Sequence, residues 1–204
     1  MRPEKLIVIG CSAGGKDACE YLFPLIELNS SSIVLVPHIQ NSEIYESLRF
    51  SLRYDIGGIE NLSLLKEGKI YVFGHDRSVL PRFHSIKLEK DRFHIIERDS
   101  KNGIDDIMID LTNSYKGNIT GVVLSGAGDD CSKGAQYIKK HGGSVLLQIE
   151  NSQIANLNPV QRHKEYYYDA RFYCEEMPSN VQDTVKVDFS GLLSDLVDVL
   201  NAMA

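Results

Sequence analysis

Ser12 stands in the string Gly10-Cys11-Ser12-Ala13-Gly14, between an apolar run and an amphipathic stretch. G-x-S-x-G at a strand-to-helix junction is the pattern of a nucleophile elbow, a sharp turn that projects a serine hydroxyl towards an ester or amide carbonyl. Glycine at 10 and at 14 leaves room for that turn. The helix start behind it offers free N–H groups and the positive end of a dipole, both useful to an oxyanion. A phosphate cradle or a plain turn can use the same residues. The G-x-G-x-x-G dinucleotide fingerprint is absent, and Gly15-Lys16 is followed by Asp17 where a Walker loop needs Ser or Thr.

A serine nucleophile needs a base, and the base needs an orienting acid. His38, in Pro37-His38-Ile39-Gln40, follows a second apolar run, and a histidine there suits proton transfer near neutral pH. A structural loop histidine is the competing reading. His75, His84, His94, His141 and His163 lie in segments without comparable placement. Asp129 and Asp130 fall in a second glycine-rich turn, Ser125-Gly126-Ala127-Gly128-Asp129-Asp130. A carboxylate there could orient His38, or could cap the following helix. No third hard ligand accompanies the pair, so neither a metal nor another cofactor is expected. The chain order Ser, His, Asp differs from the Ser, Asp/Glu, His order of α/β-hydrolases.

The elements that must position these residues are legible around them. Leu6-Ile7-Val8-Ile9 and Ile33-Val34-Leu35-Val36 are continuous apolar runs, typical of strands buried on both faces of a parallel sheet. Ala18, Tyr21, Leu22, Leu25 and Ile26 recur at helical spacing between them. Thr120 to Leu124 and Ser144 to Gln148 are further strands, with a short helix from about Ser132 to His141. Lys69 to Phe73 is strand-like, and Ser78 to Glu97 suggests one or two antiparallel hairpins attached to the sheet. Asn102 is a candidate cap for a helix carrying Ile104, Ile107, Met108, Leu111 and Tyr115, and Ser190 for one carrying Leu192, Leu193, Leu196, Val197 and Leu200. Asn151 to Asn180 shows no clear pattern. The expected fold is α/β: a doubly wound, mainly parallel sheet with helices on both faces and an antiparallel hairpin insertion. Sites in such sheets form at the carboxyl ends of strands, so the three turns can share one rim.

Composition narrows the function classes. A hydrophobic fraction of 43% over 204 residues fits one globular domain with a real core. The net charge of −6, with no basic stripe, argues against a nucleic-acid partner. Four cysteines without a Cys-x-x-Cys pair read as reduced thiols. No run has the length of a membrane span and no secretory leader is apparent, so a cytoplasmic location without membrane insertion is expected.

Taken together, these motifs resemble the catalytic domain of the CheB-type chemotaxis receptor methylesterases. Val8-Ile9-Gly10-Cys11-Ser12-Ala13-Gly14-Gly15 is similar to that family's nucleophile turn, and Val36-Pro37-His38-Ile39 to its histidine segment. Gly68-Lys69-Ile70-Tyr71-Val72 is similar to its Pro-Gly-x-x-Tyr-Ile stretch. Thr120 to Asp130 resembles Gly-Val-Ile-Leu-Thr-Gly-Met-Gly-x-Asp-Gly. The resemblance implies hydrolysis of glutamate γ-methyl esters on chemoreceptor-like signalling helices, with glutamine deamidation as a second activity. Ser12 would attack, His38 shuttle the proton, Asp130 orient His38, and the Ala127 N–H line the oxyanion hole. It also implies a single domain over residues 1–204 without a receiver domain. The chain departs from the pattern at Ala13 for Thr, Cys131 for the Gly after the aspartate, Lys101 to Asp105 in the stretch before the middle helix, Ser51 for an expected Arg, and over Asn156 to Cys174. These losses leave two further readings open: a degenerate, non-catalytic signalling or interaction module, and a small-molecule esterase on the same scaffold.

Overall fold

The computed structural model describes residues 2–38, 42–51, 54–74, 80–81, 83–99, 103–149 and 173–203. Most of the tract without a clear pattern, and Asn102, lie outside the described residues. The described chain runs β1 (Lys5–Cys11), α1 (Gly15–Leu22), β2 (Ser31–Pro37), α2 (Ser42–Ser51), β3 (Asp55–Gly58), β4 (Lys69–Val72), β5 (His84–Glu89), β6 (Arg92–Glu97), α3 (Gly103–Tyr115), β7 (Ile119–Val123), α4 (Ser132–Lys140), β8 (Ser144–Gln148), α5 (Glu176–Thr184), β9 (Phe189–Gly191) and α6 (Leu193–Met203).

Seven strands form one sheet in the order β3-β4-β2-β1-β7-β8-β9, every neighbouring pair parallel. The buried runs explain this arrangement. β1 from Leu6 onward, and β2 and β7 throughout, are buried, as strands covered on both faces must be. One core joins the sheet to α1, α2 and α6 around Phe23, Ile33, Leu35 and Leu196. The other joins it to α3, α4 and α5 around Val8, Val34, Met108, Ile138 and Met177.

Three local expectations are corrected. Apolar spacing carries α1 to Ile26, yet the helix ends at Leu22, because Pro24 has no N–H to continue it; Leu25 is then exposed. β5 and β6 form one hairpin with its own two-stranded sheet. It packs on α3 through Ile86 and Phe93, and Ser85 Oγ donates to Asp110 Oδ2 at 2.6 Å, so the hairpin is not hydrogen-bonded into the large sheet. Ser190 lies in β9 opposite Leu147 and caps nothing. The start of α6 is held instead by Asp195, whose Oδ2 accepts the Leu192 N–H at 3.1 Å.

Candidate active site

The strand order decides where a site can form. From β1 the chain moves to β2 on one side and returns to β7 on the other. The carboxyl end of β1 is therefore the switch point of the sheet, where a crevice opens. Ser12 follows β1, His38 follows β2, and the Ser125–Asp130 turn follows β7.

Backbone ladders run directly into this site. The His38 N–H donates to Cys11 O at 2.8 Å, extending the β1–β2 pairing by one step. The Leu124 N–H donates to Gly10 O, and the Ser12 N–H to Ser125 O, each at 3.0 Å, extending β1–β7. The turn then closes through Gly15 N–H to Ser12 O at 2.9 Å. Gly14 has φ +78°, a left-handed conformation that glycine adopts freely. Crowding acts at Gly10 and Gly15: a Cβ on Gly10 would sit 2.5 Å from Cys131 Sγ, and one on Gly15 2.5 Å from Cys11 Cβ.

Asp130 is seated before it meets the histidine. Its side chain is 4% exposed, and its Oδ2 lies 3.7 Å from His38 Nε2, an ion-pair distance, with His38 35% exposed. Its carboxylate accepts the N–H groups of Ile104 (3.1 Å), Asp105 (2.9 Å) and Cys131 (3.0 Å). Asp130 thus caps the start of α3 across the sequence, where the helix dipole favours negative charge. It does not cap the helix that follows it: the residue before α4 is Cys131, whose own side chain makes no capping bond. Gly134, within the first turn of α4, donates to Asp105 Oδ1 at 2.7 Å, so α3 and α4 cap one another through two buried aspartates. Burial pushes the Asp130 carboxyl above its ordinary range, against the pull of the three N–H donors and His38.

The hydroxyl and the donors of the site are open. Ser12 Oγ makes no hydrogen bond among the described residues, so the serine and histidine are not joined in this structure. Resting geometry of this kind commonly tightens on substrate binding. Ala127 is exposed on the β7–α4 turn, and its N–H has no acceptor among the described residues. The Ala13 N–H is equally unpaired, a second candidate oxyanion donor. The G-x-S-x-G string alone could have flagged it, because the residue after the nucleophile is a donor in that turn. Cys131, next to Asp130, is buried, and burial pushes its thiol well up, so it offers no competing thiolate nucleophile. Among the described residues no three His, Cys, Asp or Glu side chains converge as a metal set would. No helix there is long and apolar enough to cross a membrane. A cavity of about 390 Å³ lined by Arg2, Lys87, Asp91 and Asp110 lies on the hairpin side, away from the elbow.

Residues 7–181 match the CheB methylesterase family. The chain belongs to that family. A Leptospira interrogans protein whose name assigns it to the protein-glutamate methylesterase/protein-glutamine glutaminase class is 32% identical over 151 residues. That match covers 70% of this chain and 75% of the relative. A protein of the same class from Archaeoglobus fulgidus is 24% identical over 158 residues, covering 72% of this chain but 43% of that longer protein. The crystal structure of the Thermotoga maritima CheB methylesterase catalytic domain shares the fold, with a TM-score of 0.79, 20% identity and 98% of both chains covered.

Membership in the CheB family gives the departures a physical reading. The position after Asp130, glycine in the family pattern, has φ +78° here and carries Cys131, at a cost of about 1–2 kcal/mol of left-handed strain. Its buried side chain fills the space beside Gly10. Gly103, within the divergent stretch before α3, lies where a Cβ would sit 2.2 Å from Pro81 O. Ala13 is exposed and brings no hydroxyl to the rim. Ser51 is the last residue of α2.

Proposed function

We propose that the chain is a CheB-type protein-glutamate methylesterase with Ser12, His38 and Asp130 as its triad. The observation that carries this reading is the buried Asp130, fixed by three N–H donors and 3.7 Å from His38, on the rim where the Ser12 elbow ends β1. With Nε2 turned towards Asp130, Nδ1 is the nitrogen left to accept the Ser12 proton. Ser12 Oγ attacks the γ-carbonyl of a methylated glutamate, and the Ala127 and Ala13 N–H groups receive the developing oxyanion. His38 then protonates the departing methoxide, giving methanol and a glutamyl-serine ester. Water, deprotonated by His38, cleaves that ester and restores the hydroxyl. Glutamine deamidation follows the same path with ammonia leaving. The partner is a signalling helix of a chemoreceptor-like protein carrying methylated glutamates.

A non-catalytic interaction module is the second reading, favoured by the open Ser12–His38 gap and the hydroxyl lost at Ala13. Methanol release from a methyl-esterified receptor-helix peptide separates the two. Release by wild type and a loss on the order of a thousandfold or more in Ser12→Ala supports the esterase. Equal rates with both proteins sink it. Turnover of p-nitrophenyl acetate but not of the peptide would transfer the chemistry to a small-molecule ester.

A further inference from the structure

Outside the triad, one buried polar residue bonds the Ser12 elbow, the segment leading into α5 and a buried side chain on β8. Ser125 is fully buried at the end of β7. Its hydroxyl donates to Ala13 O at 2.6 Å and accepts the Cys174 N–H at 2.7 Å. Its carbonyl accepts the Ser12 N–H at 3.0 Å, and its own N–H donates to Oε1 of the buried Gln148 at 2.8 Å.

Each bond fixes a different peptide of the machinery. Holding the Ser12 N–H fixes the Cys11–Ser12 peptide and holding Ala13 O fixes the Ala13–Gly14 peptide, so Ser125 grips both neighbours of the Ser12–Ala13 peptide that carries the Ala13 N–H. Holding Cys174 secures the segment leading into α5, which grips the oxyanion turn in return. Gly126 N–H donates to Cys174 O at 3.0 Å, Met177 N–H to Gly126 O at 2.9 Å, and Gly128 N–H to Glu176 Oε2 at 2.8 Å. Asn180 Nδ2 donates to Gly128 O at 2.8 Å. Ala127 lies inside this clamp, between Gly126 and Gly128.

We infer that Ser125 is a positioning residue for the esterase reaction: its hydroxyl ties the nucleophile elbow to the oxyanion turn, so that Ser12 and the Ala13 and Ala127 N–H groups face one carbonyl. The inference rests on the triad reading. Ser125 touches no reacting atom. Misplacing a catalytic group by about 1 Å can cost on the order of a hundredfold in rate, which sets the size of the expected effect.

The test measures p-nitrophenyl acetate turnover by the full chain, with rates taken per folded molecule, for wild type, Ser12→Ala, Ser125→Ala, Ser125→Thr and Gln148→Ala. Ser125→Ala is expected to lower kcat roughly ten- to a hundredfold while KM moves less than about threefold. Ser125→Thr, which keeps the hydroxyl, is expected to stay within about threefold of wild type. Gln148→Ala removes the side-chain acceptor of the Ser125 N–H and should lower kcat several-fold, a check that holds even where Ser125→Ala does not fold. Loss of thermal stability with kcat per folded molecule unchanged in Ser125→Ala and Gln148→Ala overturns the positioning role. If Ser12→Ala abolishes turnover while those two variants match wild type, this inference fails and the triad stands. Turnover that survives Ser12→Ala, or no turnover by wild type, overturns both.

Discussion

Asp130 shows how a single buried carboxylate is seated by the backbone around it. Its oxygens meet three backbone N–H groups on one side and His38 on the other, in a place water scarcely reaches. Asn at this position keeps one acceptor but turns an amide NH₂ towards N–H donors, so Asp130→Asn is expected to destabilise by about 1–3 kcal/mol. Burial raises the folded pKa above the ordinary 3.8, so the folded state holds this proton more tightly than the unfolded chain. The group's stabilising contribution is therefore complete below the ordinary value and is lost as pH rises through the folded one. Denaturant unfolding of wild type and Asp130→Asn from acid to neutral pH should show the wild-type advantage shrinking as pH rises; an advantage that grows with pH would contradict burial as the dominant influence. Residue types and turn positions in the sequence offered Ser12, His38 and the pair Asp129 and Asp130 as candidates, while Asp130 and the Ala127 N–H were singled out by the family resemblance. The sequence could not reveal that Asp130 caps α3, because that bond joins residues 26 apart in the chain. Ser125 escaped notice for the same reason: its partners at 13, 148 and 174 meet only through strand order.

At the scale of elements, the site depends on where α3 and α4 begin. The exchange of caps between them predicts different outcomes for two adjacent aspartates. Asp105→Ala leaves the Gly134 N–H without its acceptor in a buried place, and should cost about 1–2 kcal/mol in thermal or urea unfolding. Asp106→Ala removes a partly exposed ion pair with Arg98 at 3.3 Å and should change stability by less than about 1 kcal/mol. Equal losses would contradict the capping exchange. Long buried strands and strongly amphipathic helices were readable because their periodicity is set by full burial. β3, Asp-Ile-Gly-Gly and largely accessible, and the three-residue β9 have too few alternating positions to announce themselves. α2 and α5 were not anticipated either. α5 begins without a side-chain cap and carries Pro178 in its first turn, a signal as common in loops as at helix starts.

For the whole molecule, the deciding feature is the reversal of strand order at β1. It brings segments from residues 11–15, 38 and 125–130 to one rim, while two separate cores hold the sheet rigid beneath them. The elbow is thus built on the most central strand of the structure. Its glycines are fixed by close approaches to Cys131 and Cys11 and by one left-handed φ. The alternation of strands and helices already implied such a rim; which strands are neighbours emerged only from the packing. The most direct measurement is covalent: a fluorophosphonate, whose phosphorus is attacked by an activated serine with loss of fluoride, is applied to the folded chain and its adduct located by peptide mass. One adduct on Ser12, absent from Ser12→Ala, is the expected result. A folded wild type that stays unlabelled, or an adduct on another residue, would contradict Ser12 as the nucleophile.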